Sequence, residues 1–130
     1  MSFLGLDLSG VPDRQLLPEG EAELRCTTAA KKPSKTTEGN EYLELILESC
    51  SNPVADPIFF RANIPNNSHE AKTALWFNRQ LKEVHQAFGV ELNGASSEDF
   101  VGRTAWALVT VAKDEGYGER NEVKKFTVRK

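Results

Sequence analysis

Hydrophobic positions recur along this chain with two periods, and the switches between them mark its elements. From Ser68 to Gly89, the residues Ala74, Phe77, Leu81, Val84 and Phe88 fall three and four apart, which sets them on one stripe of a helix. Lys72, Arg79, Lys82 and Glu83 then turn mostly toward water. Asn67 or Ser68 is the expected cap, Glu70 lies near the positive end of the helix dipole, and Gly89 supplies a left-handed stop. Elsewhere the period is two. From Glu21 onward, Ala22, Leu24 and Cys26 alternate with Glu23, Arg25 and Thr27, the signature of a half-buried strand. A second strand spans Glu41 to Cys50, with Leu43, Leu45 and Leu47 inward and Tyr42, Glu44, Ile46 and Glu48 outward. A third runs from about Pro57 to Ile64, with Ile58, Phe60, Ala62 and Ile64 inward and Phe59, Arg61 and Asn63 outward. A register shift of one residue would exchange Phe59 with Phe60.

Between the first two strands, AAKKPSKTTEGN reads as a mobile basic loop, broken by Pro33, Gly39 and Asn40 and carrying Lys31, Lys32 and Lys35. Beyond the helix, Phe100 and Val101 dock a polar connection onto the core. The fourth strand, Arg103 to Lys113, is apolar on both faces, as in a strand covered on both sides, and this leaves the direction of Trp106 open. Gly116 and Gly118 build a hairpin loop with Tyr117 at its tip and Arg120 at its exit. In the fifth strand, NEVKKFTVRK, the odd spacing of Val123 and Phe126 calls for a bulge.

Three strands, one helix and a two-stranded hairpin form the element order of the OB-fold, a mainly β, five-stranded Greek-key barrel with its helix between strands three and four. Residues 1–20 are expected to form an N-terminal arm and residues 21–130 the OB-fold domain. In the arm, Phe3, Leu4, Leu6 and Leu8 are apolar enough to lie over the domain or against a second copy.

Charge changes this picture only in its distribution. Sixteen Lys and Arg against 19 Asp and Glu give a net charge of -3. Residues 1–24 hold five acids against Arg14 alone, whereas residues 101–130 hold seven basic residues against four acids, so a basic strip is compatible with the acidic total. Cys26 and Cys50 form no CxxC, and with His69 and His85 they give no zinc spacing. No metal and no cofactor is expected, and both cysteines read as reduced. The amino-terminal stretch lacks a basic leader and carries Asp7 among its apolar residues, so it does not read as a signal peptide, and nothing approaches a membrane span. A cytoplasmic protein is expected.

The default ligand face of the OB-fold is that of strands two and three with its flanking loops. The chain's rings and cations fall there or beside it. Lys31, Lys32 and Lys35 lie in the first loop. Arg25, Tyr42, Phe59 and Arg61 lie on the outward face. Tyr117, Arg120, Lys124 and Lys125 lie on the last hairpin, and Trp106 joins them as a candidate. Rings interleaved with Lys and Arg suit single-stranded nucleic acid, because every base has a π-face and every nucleotide a phosphate. The same residues have plainer readings: solvated loop lysines, a Tyr117 folded over its own turn, and Trp76 packed under a loop.

The segments LPEGEAELRCTTAAKKPSKTTEGNEYLELILE, QLKEVHQAFGV and FVGRTAWALVTVAKDEGYGERNEVKKFTV resemble the bacteriophage single-stranded DNA-binding proteins of OB-fold type and related phage replication-module domains. The pieces are the Pro-Glu-Gly entry to the first strand, the lysine loop before Asn40-Glu41-Tyr42-Leu43, the Leu and Phe helix with its Gly stop, the Val-Gly-Arg start of the fourth strand, and the Asn-x-Val-Lys-Lys-Phe ending. The likeness covers most of the chain from Leu17. It implies sequence-nonspecific binding of single-stranded DNA in phage replication or recombination, in the bacterial host cytoplasm. Its partners would be replication or recombination proteins; separately, the footprint of one OB domain, about 4 to 16 nucleotides, calls for further copies of the chain or cooperative contacts along the strand. The family's acidic tail has no counterpart in Val128-Arg129-Lys130, so recruitment through such a tail is not expected. No phosphate-binding loop, GxSxG or HExxH is present, and no enzyme is expected. Glu41, Glu44 and Glu48 read as solvated strand acids. The alternative is a protein-binding OB-fold adaptor of a phage replication complex, docking through the arm or the edge of the first strand.

Overall fold

The computed structural model describes residues 5, 9–10, 15–34, 39–66, 69–114 and 118–127. Its longest strand, β1 (Gly20–Pro33), serves two partners. Residues 20–25 pair antiparallel with β4 (Thr104–Asp114), and residues 24–33 pair antiparallel with β2 (Glu41–Ser49). The register slips between Cys26 and Thr28, leaving Thr27 as an extra residue. A bulge of this kind bends a strand and increases its twist, which lets one strand run from one half of a curled sheet into the other. At the bend, the Cys26 amide donates to the Arg103 carbonyl at 2.9 Å, and the Gly102 amide donates to the Cys26 carbonyl at 2.8 Å.

The remaining strands, β3 (Ile58–Ile64) and β5 (Gly118–Thr127), complete one antiparallel sheet in the order β3-β2-β1-β4-β5. The sheet curls until its two edges approach, and Phe60 of β3 meets Phe126 of β5 edge to face, with ring centroids 4.9 Å apart. The result is a nearly closed five-stranded barrel with one helix, α1 (Ala71–Phe88), between β3 and β4. This is the OB-fold architecture that the element order predicts. The bulge expected in the last strand is also present. Leu108 faces Lys125 while Val109 faces Val123, which leaves Lys124 unmatched and turns both Val123 and Phe126 to the core side.

Strand alternation fills the barrel as expected, with Leu24, Leu45, Leu47, Ile58 and Val109 almost wholly buried. The helix closes one end. Val84 and Phe88 are buried, whereas Phe77 and Leu81, expected to be equally deep, are only half-buried. Phe88 stacks edge to face on both Phe100 and Phe126, and Phe100 belongs to a 3-10 turn at Ser97–Phe100. Burial therefore deepens toward the carboxyl end of the stripe, and at the amino-terminal end Leu75 and Trp76 stand exposed. The helix begins at Ala71, three residues later than its pattern predicts, with Glu70 as an N-cap that makes no side-chain cap bond. The expected caps Asn67 and Ser68 lie outside the described residues. Gly89 ends the helix at φ 69°, as expected of a left-handed stop.

Residues 15–19 are tied to the barrel. Asn121 takes the Leu17 amide on its side-chain oxygen at 2.8 Å and donates its own amide to the Leu17 carbonyl at 2.9 Å. Both backbone groups are buried and satisfied by one side chain, and Leu17 packs into the core. The apolar residues Phe3, Leu4, Leu6 and Leu8 lie outside the described residues. Cys26 is buried and Cys50 half-buried, both free, and burial pushes the Cys26 thiol up. Among the described residues, no helix is long and apolar enough to cross a membrane.

Candidate nucleic-acid interface

The outer face of β1, β2 and β3 follows directly from the register. On β2, Tyr42, Glu44 and Ile46 point outward, opposite Lys32, Ala30 and Thr28 of β1 and opposite Asn63, Arg61 and Phe59 of β3. Phe59 is 56% exposed and Phe60 half-buried against Phe126, so the third strand stands in the predicted register.

The centre of this face is a carboxylate. Glu44 is only 6% exposed. Lys32 donates to its Oε1 at 2.7 Å, and the Nε of Arg61 donates to its Oε2 at 3.1 Å. The Lys32 hydrogen bond outweighs the burial that pushes the other way, and with the Arg61 bond it holds the Glu44 carboxyl below the usual carboxylate range. Glu44 in turn raises the Lys32 ammonium, through the hydrogen bond first and its charge second. This corrects the expectation of a solvated strand acid: long cations from both neighbouring strands cover Glu44. Arg61 also sets its guanidinium carbon 5.3 Å from the centroid of the half-buried Tyr42 ring, within cation–π range. Tyr42 is thus overlain rather than bare.

Beside this face, the gap between β3 and β5 opens as a cleft of about 670 Å³, lined by Asp56, Pro57, Phe59, Arg61, Arg120, Asn121 and Glu122. Arg120 is held by Glu122 at 3.0 Å. The barrel thus brings Lys32, Tyr42, Phe59, Arg61 and Arg120 onto one continuous surface, with Arg25 farther along, opposite Glu48 and Thr104.

Other candidates are placed differently. Lys31 and Lys32 are not in a loop, because β1 continues through Pro33 and the Ser34 amide still bonds the Asn40 carbonyl at 2.8 Å. Being adjacent in a strand, they take opposite faces. Lys31 pairs with Glu41 at 3.6 Å and borders a recess of about 210 Å³ with Leu43, Leu81 and His85, away from Phe59. Trp106 points outward and is half-buried on the β1–β4 side, opposite Glu23 and Thr127, two strands from β2. Lys124 and Lys125 are exposed on β5. Lys35 and Tyr117 lie outside the described residues. Trp76 is 62% exposed, with Lys72 Nζ 5.9 Å from its ring centroid, so it does not pack under a loop.

Sequence reasoning missed Glu44 as a structural centre. Its signal was present in the pattern, an outward acid on the middle strand flanked by outward cations on both neighbours, but the register of β1 beyond the bulge was needed to see it. The chain matches no family model, and it matches no curated protein.

Proposed function

We propose that this protein binds single-stranded DNA without sequence preference, in the manner of the phage replication and recombination proteins that its sequence resembles. The observation that carries this reading is the exposed Phe59 ring at the mouth of the β3–β5 cleft, with Arg61 and Arg120 lining the same cleft. An aromatic ring held out of the core offers a surface to any base. The flanking guanidiniums suit phosphates and base planes alike. Among the described residues, no helix is placed to enter a major groove, since α1 caps the barrel end. A fluorescence titration of labelled poly-dT against a duplex of equal length, repeated across salt concentrations, tests this. Tighter binding of the single strand that weakens with salt is expected, and equal affinity for the two would refute the reading.

A second reading, a protein-binding OB-fold adaptor, draws on one feature: adjacent exposed Leu75 and Trp76 on the outer side of α1. It predicts no poly-dT binding at any salt concentration.

A further inference from the structure

We propose that Arg61 acts as a stacking platform for a base rather than as a phosphate ligand, and that the buried carboxylate of Glu44 sets it in that role. This inference rests on the single-strand reading above. The Nε edge of Arg61 is committed to Glu44 at 3.1 Å, and its guanidinium carbon lies over the Tyr42 ring at 5.3 Å. The side chain is nevertheless 64% exposed. The guanidinium carbon therefore sits over Tyr42, while most of the side chain remains open to solvent. Glu44 is fixed from its other side by Lys32 at 2.7 Å, so the carboxylate cannot swing away without leaving Lys32 as well.

Two consequences follow from this arrangement. Arg61 and Lys32 share a negative charge that is already in place, so neither displaces a full counterion on meeting a phosphate. Arg61 retains its plane, and guanidinium planes stack on bases. Tyr42 then serves as the support beneath Arg61.

Phe59 lies two residues along the same strand on the same face, a rise of about 6.7 Å. That is about twice the roughly 3.4 Å step between stacked bases of one DNA strand. Two platforms at this spacing take two bases from a strand that has been pulled open. A duplex, whose bases remain stacked, presents no gap for either.

The test is a set of salt titrations with labelled dT oligomers on the wild-type chain and on Arg61→Ala, Arg61→Lys and Glu44→Gln. Loss of one stacked base corresponds to roughly a fivefold to hundredfold drop in affinity. Arg61→Ala is expected to show such a drop with an unchanged slope of log affinity against log salt. Arg61→Lys is expected to lose nearly as much, because lysine restores charge but no plane, and its retained pairing with Glu44 carries the test should the alanine variant fold poorly. Glu44→Gln, which removes the one negative charge that Lys32 and Arg61 share, is expected to steepen the slope by about 0.7 in total while weakening binding at high salt. Wild-type affinity in Arg61→Lys, or a slope reduced by about 0.7 in Arg61→Ala, would make Arg61 a phosphate ligand and overturn the inference while leaving the single-strand reading intact. Absence of dT binding by the wild-type chain would overturn both.

Discussion

The carboxylate of Glu44 stays ionised because cations reach it from the strands on either side, and its stability contribution has a defined pH window. Its folded pKa is depressed, so the contribution is present above the unfolded value of about 4.3 and is lost as pH falls through the folded value. The melting temperatures of wild type and Glu44→Gln should therefore differ by a constant amount from pH 5 to 8, and the gap should close in more acid buffer. A gap independent of pH down to about 2 would mean that the ion pairs contribute nothing. Phe59 and Phe60 divide structure from binding in adjacent positions. Phe59→Ala should leave the melting temperature near wild type while losing about 1–3 kcal/mol of dT affinity. Phe60→Ala removes a ring packed on Phe126 and should cost about 3 kcal/mol of stability in denaturant titration. The outward position of Phe59 was legible from period-two alternation. The opposite faces of Lys31 and Lys32 were not, because alanines and lysines are poor strand formers and the segment is held in β1 by its pairing with Leu43, Leu45 and their neighbours.

At the scale of elements, α1 and β1 make the barrel work. The helix carries its energy at one end, where Phe88 meets Phe100 and Phe126. Phe88→Ala should destabilise by about 3–5 kcal/mol, whereas Leu75→Ala, at a position 48% exposed, should stay within about 0.5 kcal/mol. A cost at Leu75 similar to that at Phe88 would show that the outer side of α1 is covered rather than open to solvent. Periodicity marked the helix stripe and its Gly89 stop, but it could not grade depth along the stripe, which depends on where the barrel mouth ends. Strand β1 was legible in its first half only. Its bulge at Thr27 has no sequence mark, since Thr suits a regular strand equally well, and it exists because one strand must pair with both β2 and β4.

For the whole molecule, the acidic total says little about the binding face, since Lys32 and Arg61 share one acid, Glu44, and Arg120 pairs with Glu122. Lys124 and Lys125 are exposed and, among the described residues, make no ion pair. If a bound strand continues from the cleft over β5, neutralising both to Gln should flatten the salt dependence of dT binding by about 1.4, or about 0.7 for each. An unchanged slope would confine the strand's path to β2 and β3.

The sequence by itself determined the element order, the inward and outward sets of β2 and β3, the need for a bulge in β5, and hence the barrel. These depend on local periodicity and on turn residues, which act within a few positions. Tertiary structure alone decided that Glu44 is buried, that Arg61 overlies Tyr42, that Arg120 joins Phe59 across the β3–β5 gap, and that Trp106 and Lys31 stand elsewhere. Each of these is a contact between strands distant in sequence. Such contacts depend on register and on closure of the sheet, and one extra residue at Thr27 is enough to exchange the two faces of everything that follows it in β1.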